Sequence, residues 1–290
     1  MSETIPITAA RQLSNVDQDV LHTANAGLVV HRTAQIASGR ASAARQASRA
    51  GLEDFNIKHV GVATACAYEE MFGVRGRLHW LIHVRSLADY PGAPRFDPDD
   101  DLFVPGTMLD TVMQPHRWGM HGTLTEAMVE SIANDPASGP NVTGPDGPLF
   151  VVTPASAQTV QQPNEILHSI NSGMILRRTA DFDYSFRDEA RVFARTIAEN
   201  VNIAAAGQAS VFLYEEDFGR MDRVHWFIHL RSVGVYQLLM GLDARTEPDA
   251  PRASYLRDWI DLEKGGGSWD RMLVQGSVRD LALLPSRWPA

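Results

Sequence analysis

Two acid–imidazole pairs at identical spacing carry the strongest chemical suggestion in this chain: Glu70 with His79 and Glu216 with His225. In each pair the carboxylate ends one β-prone run and the imidazole opens the next. A hairpin would then set them side by side, where the carboxylate fixes the ring tautomer and raises its basicity, giving a general base near neutral pH. The structural alternative is an ion pair at a hairpin tip, partly solvated and worth little. Tyr68 and Tyr214 stand two residues before each Glu and could donate to a substrate oxygen. Farther along each second run come His83 and His229, then Arg85 and Arg231. An imidazole and a guanidinium facing one cavity bind a carboxylate, phenolate or enolate and stabilise developing negative charge. The alternative is that they hold a core together through carbonyls and carboxylates.

Cys66 is the single cysteine and falls on the His83 face, so it joins the candidate ligand-binding residues. As a nucleophile it would need His83 close enough to lower its pKa. A lone cysteine between alanines in a strand reads first as a small buried hydrophobe. No metal ligand is assigned. His79 and His83 lie four apart on a strand, roughly 13 Å at about 3.3 Å per residue, so they cannot share one ion. Ligation by His79 with Glu70, by His83 with Cys66, or by an axial histidine to haem stays open as a competing reading. No Gly-x-Gly-x-x-Gly, phosphate-binding loop or Gly-x-Ser-x-Gly signature occurs, which argues against nucleotide cofactors and hydrolase-elbow chemistry.

The elements that position these residues are written twice. Leu21–Tyr90 aligns with Leu167–Tyr236 without a gap, with roughly 28 of about 70 positions identical, a period too long for a solenoid. Gly27–Thr33 and Gly173–Thr179 are short β-prone runs, and Ser38–Asp54 and Phe186–Asn200 have helical spacing. Val60–Glu70 with Arg77–Ser86, and Gly207–Glu216 with Arg223–Ser232, read as hairpins. Beyond Tyr90 the copies diverge. Gly106, Thr107 and the run Thr111–Gln114 resemble Gly267, Ser268 and the run Met272–Gln275, with a longer insertion in the second copy, and a last strand is expected to close each unit. A helix is expected over Ala253–Glu263. The order strand, helix, strand, strand, helix, strand is a ferredoxin-like unit. The domains are therefore 1–133 and 149–290, joined by a Pro/Gly/Asn-rich linker over 134–148.

Alternation sorts each hairpin into two faces. Trp80, Ile82 and Val84 point one way; His79, Leu81, His83 and Arg85 point the other. A turn centred between Val74 and Arg75 puts Glu70 opposite His79, Cys66 opposite His83 and Thr64 opposite Arg85. The second copy then pairs Glu216 with His225, Phe212 with His229 and Ser210 with Arg231.

The pattern Tyr-Glu-Glu, Phe-Gly, then His-Trp-x-Ile-His-x-Arg-Ser-x-x-x-Tyr resembles the dimeric α+β barrel superfamily, notably its NIPSNAP-like and antibiotic-biosynthesis-monooxygenase-like members. The resemblance implies an α+β fold in which two ferredoxin-like sheets face each other and enclose a barrel, here within one chain, with the polar face around a cavity. It implies a small-molecule tailoring enzyme of specialised metabolism: a cofactor-independent oxygenase, cyclase or isomerase acting on an aromatic or polyketide-like substrate. His79 or His225 would be the base, Glu70 or Glu216 its orienter, and His83, Arg85, His229 and Arg231 the anion-binding set. Haem enzymes belong to the same superfamily, and a binding protein without turnover is the non-enzymatic alternative.

Composition bounds the partners. The net charge of -9 lacks the basic stripe that nucleic acid or an anionic membrane requires. Met1–Ala10 has no signal-peptide pattern and no apolar run reaches a membrane span, so a cytoplasmic monomer or homodimer with a small-molecule partner is expected. The segment Gln114–Gly122 reads as a loop into a capped helix over Thr123–Ala133, or as a lid. Asp97–Asp101 reads as a solvated loop and Gly265–Gly267 as a turn.

Overall fold

The computed structural model describes residues 7–14, 20–92, 94, 101–116, 154–237 and 269–287. In chain order these form β1 (Leu28–Gln35), α1 (Ala41–Lys58), β2 (Ala63–Glu70), β3 (Arg77–Val84), β4 (Leu109–Pro115), β5 (Met174–Asp181), α2 (Arg187–Ala204), β6 (Ala209–Glu216), β7 (Arg223–Leu230) and β8 (Arg279–Pro285). The eight strands close into one antiparallel barrel in the order β1-β3-β2-β8-β5-β7-β6-β4. The fold class is α+β.

The outward side of each hairpin is sealed by a helix. On the first, Trp80, Ile82 and Val84 pack with Leu52 and Phe55 of α1, each such side chain contributing roughly 1.5–3 kcal/mol by burial. The Trp80 indole N–H donates to Ser48 Oγ at 2.7 Å. On the second, Phe193, Ala194 and Ala198 of α2 cover Trp226 and Leu213. The alternation of strand residues thus divides helix-facing from barrel-facing side chains as expected.

The two half-sheets meet at two short seams, where β2 pairs β8 only over Tyr68–Glu70 and β4 pairs β6 only over Met113–Pro115. Below the seams, side-chain amides stand in for the missing strand. Asn56 exchanges two hydrogen bonds with the Ala65 backbone and Gln12 two with Ala67; Asn202 does the same with Val211 and Gln158 with Leu213. Unpaired buried backbone groups are thereby avoided.

Because β2 and β5 both run antiparallel to β8, they run parallel to each other, and both hairpin tips point to the same end of the barrel. That end is called the upper end. The segments before β1 and β5, residues 21–27 and 167–173, close the lower end.

The hairpin register differs from the expected one by two residues. His79 pairs with Tyr68 and His83 with Thr64, while Cys66 faces Leu81. His225 pairs with Tyr214, His229 with Ser210, and Phe212 with Phe227. The turn is centred one residue earlier, because the Glu70 carboxylate folds under it and accepts from the Val74 N–H at 2.7 Å. The match between the copies beyond Tyr90 also moves. The counterpart of β4 is β8 at Arg279–Pro285 rather than a run at Met272–Gln275, and Gly106 matches Gly276, both with φ of 74°. In this alignment Pro115–Trp118 has a counterpart, Pro285–Trp288. The linker 134–148, the helices over 123–133 and 253–263, Gly265–Gly267 and most of 97–101 lie outside the described residues. Among the described residues no helix is long and apolar enough to cross a membrane.

Candidate active site at the upper end of the barrel

The barrel interior has three layers. Its middle is apolar and filled: Val29, Cys66, Leu81, Met113, Ile175, Phe212, Phe227 and Leu283 form one buried cluster. An interior cavity lined by the polar face was expected; instead the polar groups are split between the two ends.

At the lower end the two halves cross. The Thr23 N–H donates to Ser169 Oγ at 3.2 Å, and the Ser169 N–H to Thr23 Oγ1 at 3.0 Å. His83 Nδ1–H donates to the Thr64 carbonyl at 3.1 Å, so its Nε2 accepts from Ser169 Oγ at 2.9 Å. His229 repeats this with the Ser210 carbonyl at 3.3 Å and Thr23 Oγ1 at 2.8 Å. The Tyr68 hydroxyl donates to the Ser169 carbonyl at 2.8 Å and the Tyr214 hydroxyl to the Thr23 carbonyl. His22 and His168 stack across the same crossing, ring centroids 3.6 Å apart. Burial pushes His83 and His229 down to about 3, so they are neutral links in a completed network. Burial likewise drives the Tyr68 and Tyr214 hydroxyls upward and the Cys66 thiol up to about 12, too high for a thiolate nucleophile. Arg85 and Arg231 lie outside the barrel, exposed, and donate to the carbonyls of Gly61 and Gly207. The expected anion-binding set is therefore structural in its histidines and external in its arginines.

The upper end holds the acid–imidazole pairs and two residues the sequence did not single out, His31 and Arg177. His79 Nε2 lies 3.1 Å from Glu70 Oε1, and His225 Nε2 lies 3.0 Å from Glu216 Oε1. The second oxygen of each carboxylate accepts from the turn backbone, at Val74 and at Arg220. His79 Nδ1 is 2.9 Å from His31 Nε2, and His31 Nδ1 meets a terminal nitrogen of Arg177. The ends of this chain fix every proton within it. A guanidinium only donates and a carboxylate only accepts. His31 therefore carries its proton on Nε2, His79 carries its own on Nε2, and all three hydrogen bonds point from Arg177 toward Glu70. In the second half, His225 Nδ1 is 3.0 Å from Thr179 Oγ1.

Burial, reinforced by Arg177 and Arg77, depresses His79 to about 3. Burial depresses His225 to about 4, with Glu216 opposing and Arg177 adding to it. His31 is lowered by burial first, then by Arg177. The carboxylates thus orient these rings without bringing them near neutral pH, contrary to the expected basicity. Burial also lowers Arg177 to about 10, against an upward pull from Glu216, so it stays a cation. Its Nε is buried without a hydrogen-bond partner, a state costing about 1–3 kcal/mol. The inward positions at this level, Thr33, Thr111, Arg177, Thr179 and Leu281, are all half-buried, so the upper end is partly open to solvent.

The signal for His31 and Arg177 was their equivalence: they occupy the same position in the two copies and differ. Among the described residues no group of three or more His, Cys, Asp or Glu is placed to hold a metal ion. A haem would need a free imidazole nitrogen inside the barrel. Both ring nitrogens of His31, His79, His83, His225 and His229 are hydrogen-bonded, so these residues do not fit an axial ligand.

A closed antiparallel barrel with acid–imidazole pairs at its open end is the class that fold and site define. The chain belongs to a family of unknown function, DUF6039, whose model matches residues 1–94 and 124–290. No curated protein matches it. Among solved structures, a candidate monooxygenase from Fusobacterium nucleatum is 8% identical, with a TM-score of 0.49 over 92% of this chain and 93% of that one. Chlorite dismutase from Candidatus Nitrospira defluvii is 9% identical, with a TM-score of 0.46 over 90% and 92%. An anthrone oxidase-like protein is 10% identical, with a TM-score of 0.41 over 97% and 94%. At these scores none of them assigns a function to this chain.

Proposed function

We propose that the chain is a small-molecule enzyme that works by proton transfer at the upper end of the barrel without an organic cofactor. The observation that carries this reading is the one-directional chain Arg177–His31–His79–Glu70, which begins at an open mouth and ends at a carboxylate. A substrate that draws Arg177 away from His31 exposes the lone pair of His31 Nδ1. That atom takes a proton from a carbon beside a substrate carbonyl, the Nε2 proton of His31 passes to His79 Nδ1, and the Nε2 proton of His79 passes to Glu70. The substrate becomes an enolate, Glu70 becomes neutral, and both imidazoles end neutral with exchanged tautomers. Low imidazole pKa values suit this route, since neither ring stores the proton.

Enolate formation is common to isomerisation, cyclisation and cofactor-free oxygenation, and an aromatic or polyketide-like ketone fits all three. The two halves have the same strand order and equivalent registers, which supports reading them as ferredoxin-like repeats that have divided the work. The relay belongs to the first half; His225 and Glu216 of the second flank the mouth.

The test is exchange of the α-hydrogens of a panel of aryl and polyketide-like ketones in D2O, followed by NMR. Glu70→Gln should slow protein-dependent exchange by about 10²-fold or more, His79→Gln similarly, and His225→Gln by less. If every compound exchanges as fast with Glu70→Gln as with the native protein, the enzyme reading fails and a binding protein without turnover replaces it.

A further inference from the structure

Among the described residues the upper end contains a buried cation, Arg177, most of whose hydrogen-bonding capacity the protein does not use. We propose that Arg177 is an oxyanion anchor: the mouth of the barrel takes a ligand with a planar carboxylate or enolate group on an apolar body. The inference deepens the reading of the upper end as a ligand site, but it does not require turnover.

The groups around the guanidinium leave this role open. Among the described residues its one hydrogen bond goes to His31, a neutral ring, and its Nε has no partner. Glu216 is near enough to act on its charge, yet the Glu216 oxygens are engaged by the His225 imidazole and the Arg220 N–H. His79 and His225 are neutral, and Arg223 adds positive charge. On the neighbouring strand the residue paired with Arg177 is Leu281, which offers no acceptor. The corresponding pair in the other half is His31 with Thr111. A guanidinium presents its donors as a planar fork that matches a carboxylate in two-point contact. An arriving oxyanion would satisfy the orphaned Nε and release His31 in the same event.

The apolar body of the ligand is indicated by the surroundings. Leu281 packs against the central apolar cluster, and the hairpin tips at this end expose Phe72 and Phe218 to 74% and 73%. The filled middle layer keeps the ligand at the mouth.

The probes are sodium benzoate and benzamide, which share a ring and differ in charge, measured by calorimetry and by the 15N–1H resonance of the Arg177 Nε–H. Benzoate should bind and shift that resonance, whereas benzamide should do neither. Arg177→Met should weaken benzoate at least 10-fold. Leu281→Glu places an internal carboxylate beside the guanidinium across the strand pair, so it should abolish benzoate binding while keeping the fold; it decides the matter if Arg177→Met does not fold. Absence of benzoate binding, equal binding of benzamide, or benzoate binding unchanged by Leu281→Glu overturns the proposal. Arg177-dependent benzoate binding without Glu70-dependent exchange keeps the anchor and discards the enzyme, and the opposite result discards the anchor alone.

Discussion

A Cβ added at Gly73 would lie 2.0 Å from Glu70 Oε2, and one at Gly219 would lie 1.8 Å from Glu216 Oε2. The Phe-Gly turn is therefore the seat of the carboxylate that orients the imidazole. Gly73 also has φ of 129°, a conformation that L side chains rarely adopt. Gly73→Ala should cost about 1–3 kcal/mol in urea unfolding and slow exchange toward the level of Glu70→Gln. Gly219→Ala lacks the backbone strain and should act mainly by moving Glu216 off His225. At this scale the sequence disclosed the residues repeated in both copies: Glu70, His79, Glu216, His225 and the glycines between them. It did not disclose His31 and Arg177, because identity between copies was the guide and these two are unlike. It also grouped His83 and His229 with the acid–imidazole pairs around one cavity, since alternation identifies a face without saying how far along the barrel a residue sits.

Strands β2 and β6 each run past the end of their seam, and their backbone is completed by Asn56, Gln12, Asn202 and Gln158. Replacing Asn202 with Ala removes both partners of the Val211 backbone at once. The expected loss is about 2–4 kcal/mol, as two buried groups lose their hydrogen bonds, read as a lower urea midpoint with unchanged slope. Asn202→Asp keeps the acceptor and should lose less. Helices and strands were legible from periodicity, and the faces survived the register error because a shift of two residues preserves parity where a shift of one would not. Beyond Tyr90 the copies were matched out of step because the counterpart of Gly106 was sought at Gly267 rather than Gly276. The amide seals were illegible, since an isolated Asn or Gln announces no strand edge it will meet.

Across the whole molecule, neutral imidazoles are built into both ends of the barrel. His79, His83 and His229 sit near 3 and His225 near 4, against 6.5 for an unfolded histidine. Between those values the unfolded chain binds more protons than the folded one, so stability rises with pH there and is complete only above about 6.5. Each such group withdraws up to about 1.4 kcal/mol per pH unit below 6.5. The melting temperature should stay level from about pH 7 to 9 and fall by at least about 10 °C at pH 5. His83→Gln with His229→Gln should flatten that slope, and an unchanged melting temperature at pH 5 would contradict the burial of these rings in neutral form. The equivalence of His31 and Arg177 has a consequence for how such a site can exist. In a homodimer of one unit, symmetry would force the same side chain onto both positions: two guanidiniums repelling each other, or two imidazoles with no permanent cation. A donor facing an acceptor across a twofold axis requires that the two halves be encoded separately, and the duplication within one chain meets that requirement while holding the halves in a fixed ratio.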